Sequence, residues 1–282
     1  MDKKKKIIAA IVVIATAIAT YFIYEHLMYV ETENAQVEAH TVLIAAKVPG
    51  YIKSVMVADG MKVKKDDVLV QIDDRDYKAA YESSQSEVLS LEARKTDTEK
   101  NYFRLKDLLG KAVVSQQQFD SARASYSEIK AKYDSAVSRA TQAKISLEYT
   151  QIKAPSNGVI AKSAAEVGQL ANGGLALVGF VSSEERWIMA NFKETEISDI
   201  RIGMAVDISI DAVSGSRYKG EVESISSATG AIFSLLPPDN ATGNFTKVVQ
   251  RVPVKIKILG LSEADIDRLQ AGLSAVVKVH VR

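Results

Sequence analysis

Cysteine is absent from the 282-residue sequence. Its absence excludes disulfide frameworks, thiolate metal sites, cysteine nucleophiles and an N-terminal cysteine that carries a lipid. An excess of either charge is absent as well, because 36 Lys and Arg residues are balanced by 35 Asp and Glu residues. A nucleic-acid-binding domain carries a clearly basic surface, so the sequence predicts no nucleic-acid partner.

Motifs for catalysis and ligand binding are also missing. The sequence contains no Ser/His/Asp set, no His/Asp spacing typical of a metal site and no phosphate-binding loop. Its three histidines, His26, His40 and His280, are scattered. Trp187 lies in a strand pattern, which favours a core position over a ligand platform. We therefore predict a non-enzymatic protein with no catalytic residues, no metal site and no cofactor.

One long apolar run is present near the N-terminus. Residues 7–24 carry no charge, and 18 apolar or neutral residues approach the ~20 that cross a bilayer as a helix. Four lysines, residues 3–6, precede the run, and a positive flank stays in the cytoplasm. We therefore predict a cytoplasmic basic tail over 1–6, a transmembrane anchor over 7–28 and an exported remainder.

A cleaved signal peptide is the alternative interpretation of this run. Ala17-Ile18-Ala19 offers a small-x-small cleavage site after a plausible apolar region. The run continues beyond that site through the bulky residues Tyr21, Phe22 and Ile23, which favours a retained anchor. Both interpretations place the rest of the chain outside the cytoplasm.

An internal repeat flanks the middle of the chain. The segment VPGYIKSVMVADGMKVKKDDVLVQI starts at Val48, and NGVIAKSAAEVGQLANGGLALVGF starts at Asn157. Five residues of the first segment recur 108 positions later; they are Gly50, Ile52, Gly60, Leu69 and Val70, which recur as Gly158, Ile160, Gly168, Leu177 and Val178. Each copy is typical of short strands with glycine at tight turns. Since one copy is too small for a core, the two copies are predicted to form one β sandwich.

Between the copies lies a segment with heptad periodicity. A 4,3 spacing selects residues 81, 84, 88, 91, 95, 98, 102, 105 and 109, and again 119, 122, 126, 129, 133, 136, 140, 143 and 147. Two such seams predict an antiparallel coiled-coil hairpin with arms near 50 Å long, at 1.5 Å per residue. Asp73, Asp74 and Asp76 cluster at the entry to the first helix, and helix capping with dipole compensation explains them more simply than a metal site.

A split β sandwich with an inserted helical hairpin resembles a known family. The segments KVPGYIKSV and GMKVKKDDVLV, followed by IKAPSNGVIAKS and VGQLANGG, are similar to the two halves of a lipoyl/biotinyl-like domain. In this arrangement the chain resembles the HlyD/EmrA family of periplasmic adaptor, or membrane fusion, proteins. The resemblance covers nearly the whole chain.

Met61-Lys62 permits a rival interpretation, because a Met-Lys dipeptide in a lipoyl-like domain suggests a cofactor carrier. In such carriers the modified lysine lies on the hairpin between the two half-motifs. Lys62 instead lies inside the first half, and the helical insertion occupies the place of that hairpin. We interpret Lys62 as a solvated lysine on a turn.

The expected tip of the helical hairpin lies near Gly110. The first helix is predicted to end at Gly110 as its C′ residue, and Ser115 is predicted to form a capping box with Gln118. Arg104, Leu108 and Ser115 match the Arg-x3-Leu-x6-Ser pattern by which this family docks on a TolC-type outer-membrane channel. The resemblance therefore implies that these three residues form the docking site.

Alternating apolar residues follow the second half-motif. They cover 183–212, 219–225, 248–259 and 275–281 and predict a small antiparallel β-barrel, while an early strand over 37–47 is expected to join the barrel or the base of the lipoyl-like domain. The loop at 234–246 contains Pro237 and Pro238, which cannot donate ladder hydrogen bonds, so it is predicted to be irregular. Its role, including contact with a substrate or partner, is open.

The predicted fold is mixed α/β and multidomain. It comprises a transmembrane helix, a split lipoyl/biotinyl-like β sandwich with an inserted antiparallel coiled coil, and a small β-barrel. The predicted segments are a cytoplasmic tail (1–6), an anchor (7–28), the first lipoyl-like half with a leading strand (37–75), the hairpin (76–150), the second half (151–181) and the barrel (182–282).

The resemblance implies a periplasmic adaptor of a tripartite efflux pump. Such a subunit connects an inner-membrane transporter to a TolC-type channel for the export of xenobiotics, and it self-associates, with a hexameric ring as the family expectation. A major-facilitator exporter is the first expectation for the transporter. An ABC exporter or a type I secretion system is the alternative. A cofactor carrier and a purely structural coiled-coil scaffold remain the rival functions.

Overall fold

The computed structural model describes residues 28–213, 217–229 and 249–281, together with Thr16 and Thr20. The tail predicted over 1–6, most of the anchor predicted over 7–28 and the loop at 234–246 lie outside the described residues. Among the helices of the described ranges, none has the length and hydropathy required to cross a bilayer. The chain divides into two units, one formed by Val42–Phe180 and the other by the chain up to Thr41 together with Val181–Arg282.

The described secondary structure follows a β-α-β order. Its elements are β1 Tyr29–Glu38, β2 Thr41–Ala45, β3 Gly50–Val55, β4 Lys62–Val63, β5 Val68–Ile72, α1 Arg75–Gly110, α2 Gln116–Glu148, β6 Gln151–Lys153, β7 Gly158–Ser163, β8 Leu170–Ala171, β9 Ala176–Ser182, β10 Trp187–Lys193, a 3-10 turn Ile197–Asp199, β11 Ala205–Ile210, β12 Arg217–Ile225, β13 Arg251–Leu259, α3 Glu263–Arg268 and β14 Ser274–His280.

The two repeat copies form one sandwich of two four-stranded sheets. The sheet orders are β2-β9-β7-β4 and β6-β5-β3-β8, so that each sheet contains strands from both copies. In one sheet Gly50 is opposite Ala171, and in the other Gly158 is opposite Val63. The offset of 108 residues relates Gly50 to Gly158 and Val63 to Ala171. The glycine of each copy is therefore opposite the equivalent residue of the other copy, and the same pairing occurs twice. The register therefore confirms the repeat as two halves of one fold.

The repeated apolar residues form the core of this sandwich. Ile52 and Ile160, Leu69 and Leu177, and Val70 and Val178 are each at most 2% exposed. Neither copy contains enough of these side chains to enclose a core alone, so burial requires that the two copies pack together.

The four repeated glycines have two different roles. Gly60 and Gly168 lie in turns with φ of +76° and +86°, where a residue with a Cβ is strained. Gly50 and Gly158 open strands β3 and β7, so the prediction that they are turn residues is wrong. At Gly50 a Cβ atom would lie 2.5 Å from Ile72 Cγ2, which shows that close packing requires glycine there.

The hairpin has the predicted seams. Every seam position selected by the 4,3 spacing is at least partly buried, with Ala122 and Ala136 the most buried at 7% and 1% exposure. Polar contacts also cross between the helices: Arg139 donates to Glu87 Oε1 at 2.7 Å, and the Tyr126 hydroxyl donates to Glu99 Oε1 at 3.0 Å. Such contacts specify one register of a seam rich in small residues.

The carboxylates before α1 have intramolecular partners. The Arg75 guanidinium donates to Asp73 at 2.6 Å, and the Arg75 amide donates to Asp73 Oδ1 at 3.2 Å. These hydrogen bonds lower the pKa of Asp73 to about 2. The N-cap residue is Asp74, whose side chain makes no capping hydrogen bond, so the cap acceptor is Asp73. Within the described ranges, no group of three or more His, Cys, Asp or Glu residues could hold a metal ion.

The other unit is a closed barrel of six strands in the order β1-β10-β13-β12-β11-β14. Its core includes Val37, Ile188, Phe192, Ile256 and Val277, each fully buried. The prediction of one strand over 37–47 is wrong, because that segment is divided between the end of β1, in the barrel, and β2, in the sandwich. The barrel therefore combines one strand from the N-terminal part of the chain, β1, with five strands from the part that follows the sandwich.

The prediction that Trp187 is a core residue is wrong. It is half-buried, its Nε1 donates to Glu38 Oε2 at 3.1 Å, and Lys255 Nζ lies 4.9 Å from the ring centroid. Beside it is a cavity of about 300 Å³ whose rim carries both acidic and basic side chains. The capped helix α3, which the sequence analysis did not predict, contributes Ile266 to the lining.

Substitution of Gly220 tests the packing of the barrel. A Cβ atom at Gly220 would lie 2.8 Å from both the Lys257 carbonyl oxygen and Ile208 Cδ1. We expect Gly220→Ala to lower the free energy of unfolding by about 1–3 kcal/mol, because the overpacked strands must shift. Urea unfolding followed by the fluorescence of Trp187, the single tryptophan, measures the change.

Gly110→Ala is the matched control, since a Cβ atom at Gly110 would have no neighbouring atom within 4 Å and the backbone there is helical. It should leave the barrel transition unchanged. An equal loss in both variants would contradict the packing argument.

Candidate functional site: the tip of the helical hairpin

The tip of the hairpin is the turn between α1 and α2. The turn comprises residues 111–115, and Ser115 is the N-cap residue of α2. The two helices approach it with their seams packed on each other, so the turn is the end of a supported arm. The three predicted docking residues lie on or within two helical turns of it.

The first helix ends in a Schellman motif centred on Ala112. The Ala112 amide donates to the Leu109 carbonyl at 2.9 Å, and the Val113 amide donates to the Leu108 carbonyl at 3.0 Å. Ala112 has φ of +57°, the left-handed conformation that this motif requires. Gly110 is the last helical residue, so its prediction as the C′ residue is wrong. The left-handed residue comes two positions later, and there the chain reverses.

The second helix begins with the predicted capping box. Ser115 Oγ accepts a hydrogen bond from the Gln118 amide at 3.3 Å, and Gln118 Oε1 accepts one from the Ser115 amide at 3.0 Å. Both ends of the turn are therefore fixed by hydrogen bonds: the Schellman motif on one side and the capping box on the other. The predicted capping box of Ser115 with Gln118 is confirmed.

The three predicted docking residues differ in their availability. Arg104 is exposed on α1, whereas Leu108, one turn later on the same face, is half-buried and its carbonyl accepts the Val113 amide. Ser115 is exposed, but its hydroxyl accepts the Gln118 amide. Whether the three residues form a docking site stays a prediction.

Val113 is a tip residue that the sequence analysis missed. Its side chain is 66% exposed, more than any other large apolar side chain between residues 104 and 148. The apolar dipeptide Val113-Val114 between two helices is the signal that could have indicated it, because turns of this kind normally carry polar residues.

An aromatic cluster lies in the seam below the tip. Tyr102 of α1 stacks on Tyr126 of α2 with ring centroids 5.5 Å apart, and its ring centroid lies 5.6 Å from that of Phe119, also at the start of α2. Aromatic contacts of this kind add to the energy of simple burial. They join α1 to α2 close to the tip, so the position of the turn is set by rigid side chains.

The central part of the chain matches a known domain. Residues 40–181 match the family model described as the barrel-sandwich hybrid domain of RND membrane fusion proteins. The chain belongs to the membrane fusion protein family. This family match covers the sandwich and the whole helical insertion.

Relatives in the family match almost the whole chain. The multidrug export protein EmrA of Haemophilus influenzae is 30% identical over 99% of this chain and 84% of that protein. The colistin resistance protein EmrA of Acinetobacter baumannii is 28% identical over 93% of this chain and 90% of that protein. The predicted resemblance to the HlyD/EmrA family of membrane fusion proteins is confirmed.

A solved structure shows the same fold. The membrane fusion protein Spr0693 from Streptococcus pneumoniae R6 aligns with a TM-score of 0.64 at 16% identity, over 90% of this chain and 99% of that chain. The predicted combination of a split sandwich, a hairpin and a small barrel is therefore a fold that membrane fusion proteins adopt.

Substitution of Ser115 tests the capping box. Ser115→Ala removes the acceptor for the Gln118 amide, so the hairpin should lose about 1 kcal/mol of stability. Urea unfolding followed by circular dichroism at 222 nm measures this loss, because α1 and α2 dominate the helical signal. Ser115→Asn is the control: asparagine caps as well as serine, so its unfolding curve should overlay that of the unsubstituted chain. Equal losses in the two variants would refute the role of the cap.

Proposed function

We propose that this membrane fusion protein is the periplasmic adaptor subunit of a tripartite efflux pump. In this role it connects an inner-membrane drug exporter to a TolC-type outer-membrane channel for the export of xenobiotics. The observation that carries the proposal is the hairpin itself: a supported coiled-coil arm ends in a rigid turn beside an exposed Arg104. The near full-length similarity to two proteins named for multidrug export and colistin resistance supports the same role.

The tip chemistry suits contact with the end of another helical hairpin. A guanidinium such as that of Arg104 can donate several hydrogen bonds to carboxylates or to the free carbonyls that end a helix. An apolar group on the adjacent turn supplies a complementary contact. We therefore propose that Arg104, Leu108 and Ser115 belong to the docking site for the channel, whose contacts and turn conformation they supply together.

The membrane side of the proposal depends on the N-terminal segment. The lysines at 3–6 and the apolar run at 7–24 favour a single-pass inner-membrane anchor with a cytoplasmic N-terminus and a periplasmic remainder. We propose that the inner-membrane partner is a major-facilitator exporter. We also propose that the six predicted segments, from the tail at 1–6 to the barrel at 182–282, are the functional domains of the chain.

Self-association of the chain is supported by exposed apolar side chains. On the outer face of α1, Leu89 and Phe103 are 63% and 54% exposed and lie two heptads apart. On the sandwich, Tyr51 and Leu170 are opposite each other in β3 and β8 and are 62% and 47% exposed. Apolar side chains exposed on one side of a helix or sheet are available for contacts between copies. We propose that copies pack side by side in a ring, with six as the expected number.

The structure offers no support to the rival function of a cofactor carrier. Lys62 is exposed in strand β4, opposite Val159, so the interpretation that it lies on a turn is wrong. It is also not placed between the half-motifs. The helical hairpin occupies that place instead. An adaptor role is thus favoured over a lysine-linked prosthetic group.

Charge reversal at Arg104 tests the proposed docking. In a strain that lacks the native copy, we expect the full chain to restore resistance and Arg104→Asp to lower the inhibitory concentration by about fourfold or more, because like charges oppose docking. The panel of toxicants includes colistin, the compound in the name of the Acinetobacter relative.

Arg94→Asp is the matched control, since Arg94 is also exposed on α1 but lies ten residues below Arg104. This variant should restore resistance as fully as the unsubstituted chain does. Immunoblots of membrane fractions check that all variants are present in equal amounts. Full resistance with Arg104→Asp would favour the structural scaffold over the adaptor.

A further inference from the structure

The apolar side chain that the tip presents to solvent is that of Val113. Val113 is 66% exposed, whereas Leu108 is half-buried against the hairpin. Leu108, the apolar residue of the Arg-x3-Leu-x6-Ser pattern, is thus less accessible to a partner than Val113. An apolar side chain left in solvent on a turn contributes little to folding, and it is accessible to a partner that meets the tip.

The backbone holds Val113 in one position. Its amide donates to the Leu108 carbonyl at 3.0 Å, and the preceding Ala112 takes the left-handed conformation with φ of +57°. Two residues later Ser115 begins the capping box with Gln118. Because the turn is ordered before any contact forms, docking requires little loss of conformational entropy.

Leu108 and Ser115 are both occupied in shaping this turn. The Leu108 carbonyl accepts the Lys111 amide at 3.2 Å as well as that of Val113, and the Ser115 hydroxyl accepts the Gln118 amide. Ser115 therefore shapes the turn through its side chain, and Leu108 shapes it through its backbone carbonyl and its half-buried side chain. Their separation of seven residues spans the end of one helix and the start of the next.

We propose that Val113 is the apolar contact residue of the tip and that Leu108 and Ser115 are positioning residues. Arg104 supplies the charged contact. The partner surface is the end of another helical hairpin, with an apolar notch that admits a valine beside carboxylates or helix-terminal carbonyls that bind Arg104. This assignment rests on the proposed function, and it identifies which side chains of the tip touch the channel.

Cysteine crosslinking tests the assignment cleanly, because the chain has no cysteine of its own. The full chain is prepared as three variants, Arg104→Cys, Leu108→Cys and Val113→Cys. Each is mixed with a TolC-type channel that carries single cysteines, one at a time, in the turns of its periplasmic hairpins, and is then oxidised. Val167→Cys is the matched control, since Val167 is 68% exposed and belongs to the sandwich rather than to the tip.

We expect Val113→Cys to give at least about threefold more crosslinked product than Leu108→Cys or Val167→Cys, because a disulfide forms only between closely placed Cα atoms. Arg104→Cys should also crosslink. If Arg104→Cys crosslinks and Val113→Cys does not, or if Leu108→Cys dominates, the assignment of Val113 is overturned while tip docking stands. If no tip position crosslinks, tip docking itself fails and the assignment fails with it.

The positioning role of Ser115 has a separate readout. In the Val113→Cys background, Ser115→Ala should lower the yield of crosslinked product and Ser115→Asn should restore it, because asparagine forms the cap without a hydroxyl group. A low yield with both substitutions would show that the hydroxyl touches the channel directly, which would overturn the positioning role.

Discussion

Pairing between two half-motifs that are 108 residues apart is the constraint on which the arm depends. Each sheet of the sandwich takes strands from both halves, so neither half is complete without the other. The strand before the hairpin, β5, is hydrogen-bonded to the strand after it, β6, with Gln71 opposite Gln151. The Ile72 amide also donates to the Thr150 carbonyl at 2.8 Å. Closure of the sandwich therefore brings the two ends of the hairpin together and sets its base.

Much of this architecture follows from periodicity in the sequence. The 108-residue offset predicts the sandwich because the same side chains, such as Ile52 and Ile160, occupy equivalent buried positions. The 4,3 spacing predicts the seam because only one face of each helix can meet the other. The Ser115 cap is equally local, since a serine three residues before a glutamine suffices to form it. These features require no knowledge of distant contacts.

The features that the sequence did not reveal depend on competition between signals or on tertiary structure. Gly110 is the stronger statistical candidate for a left-handed residue, yet Ala112 takes that conformation because Gly110 is still helical. The segment over 37–47 has one continuous strand pattern but contributes to both the barrel and the sandwich. The apolar pair Val113-Val114 marks the turn, but only the folded turn shows that Val113 is exposed while Val114 is partly buried. The location of the hairpin tip was therefore predictable from the sequence, whereas the exposure of its side chains was not.

The seam has a consequence for how long the arm can be. Its side chains alternate at intervals of four and three residues along two antiparallel helices, and polar contacts such as Arg139 with Glu87 set the register between them. A single inserted residue would rotate everything beyond it by about 100° around the helix axis and move the seam away from its partner. Length changes that preserve the seam come as one heptad in each helix at once, a step of about 10.5 Å. The reach of such an arm is thus adjustable in discrete increments, and each increment turns the tip by only about 20°.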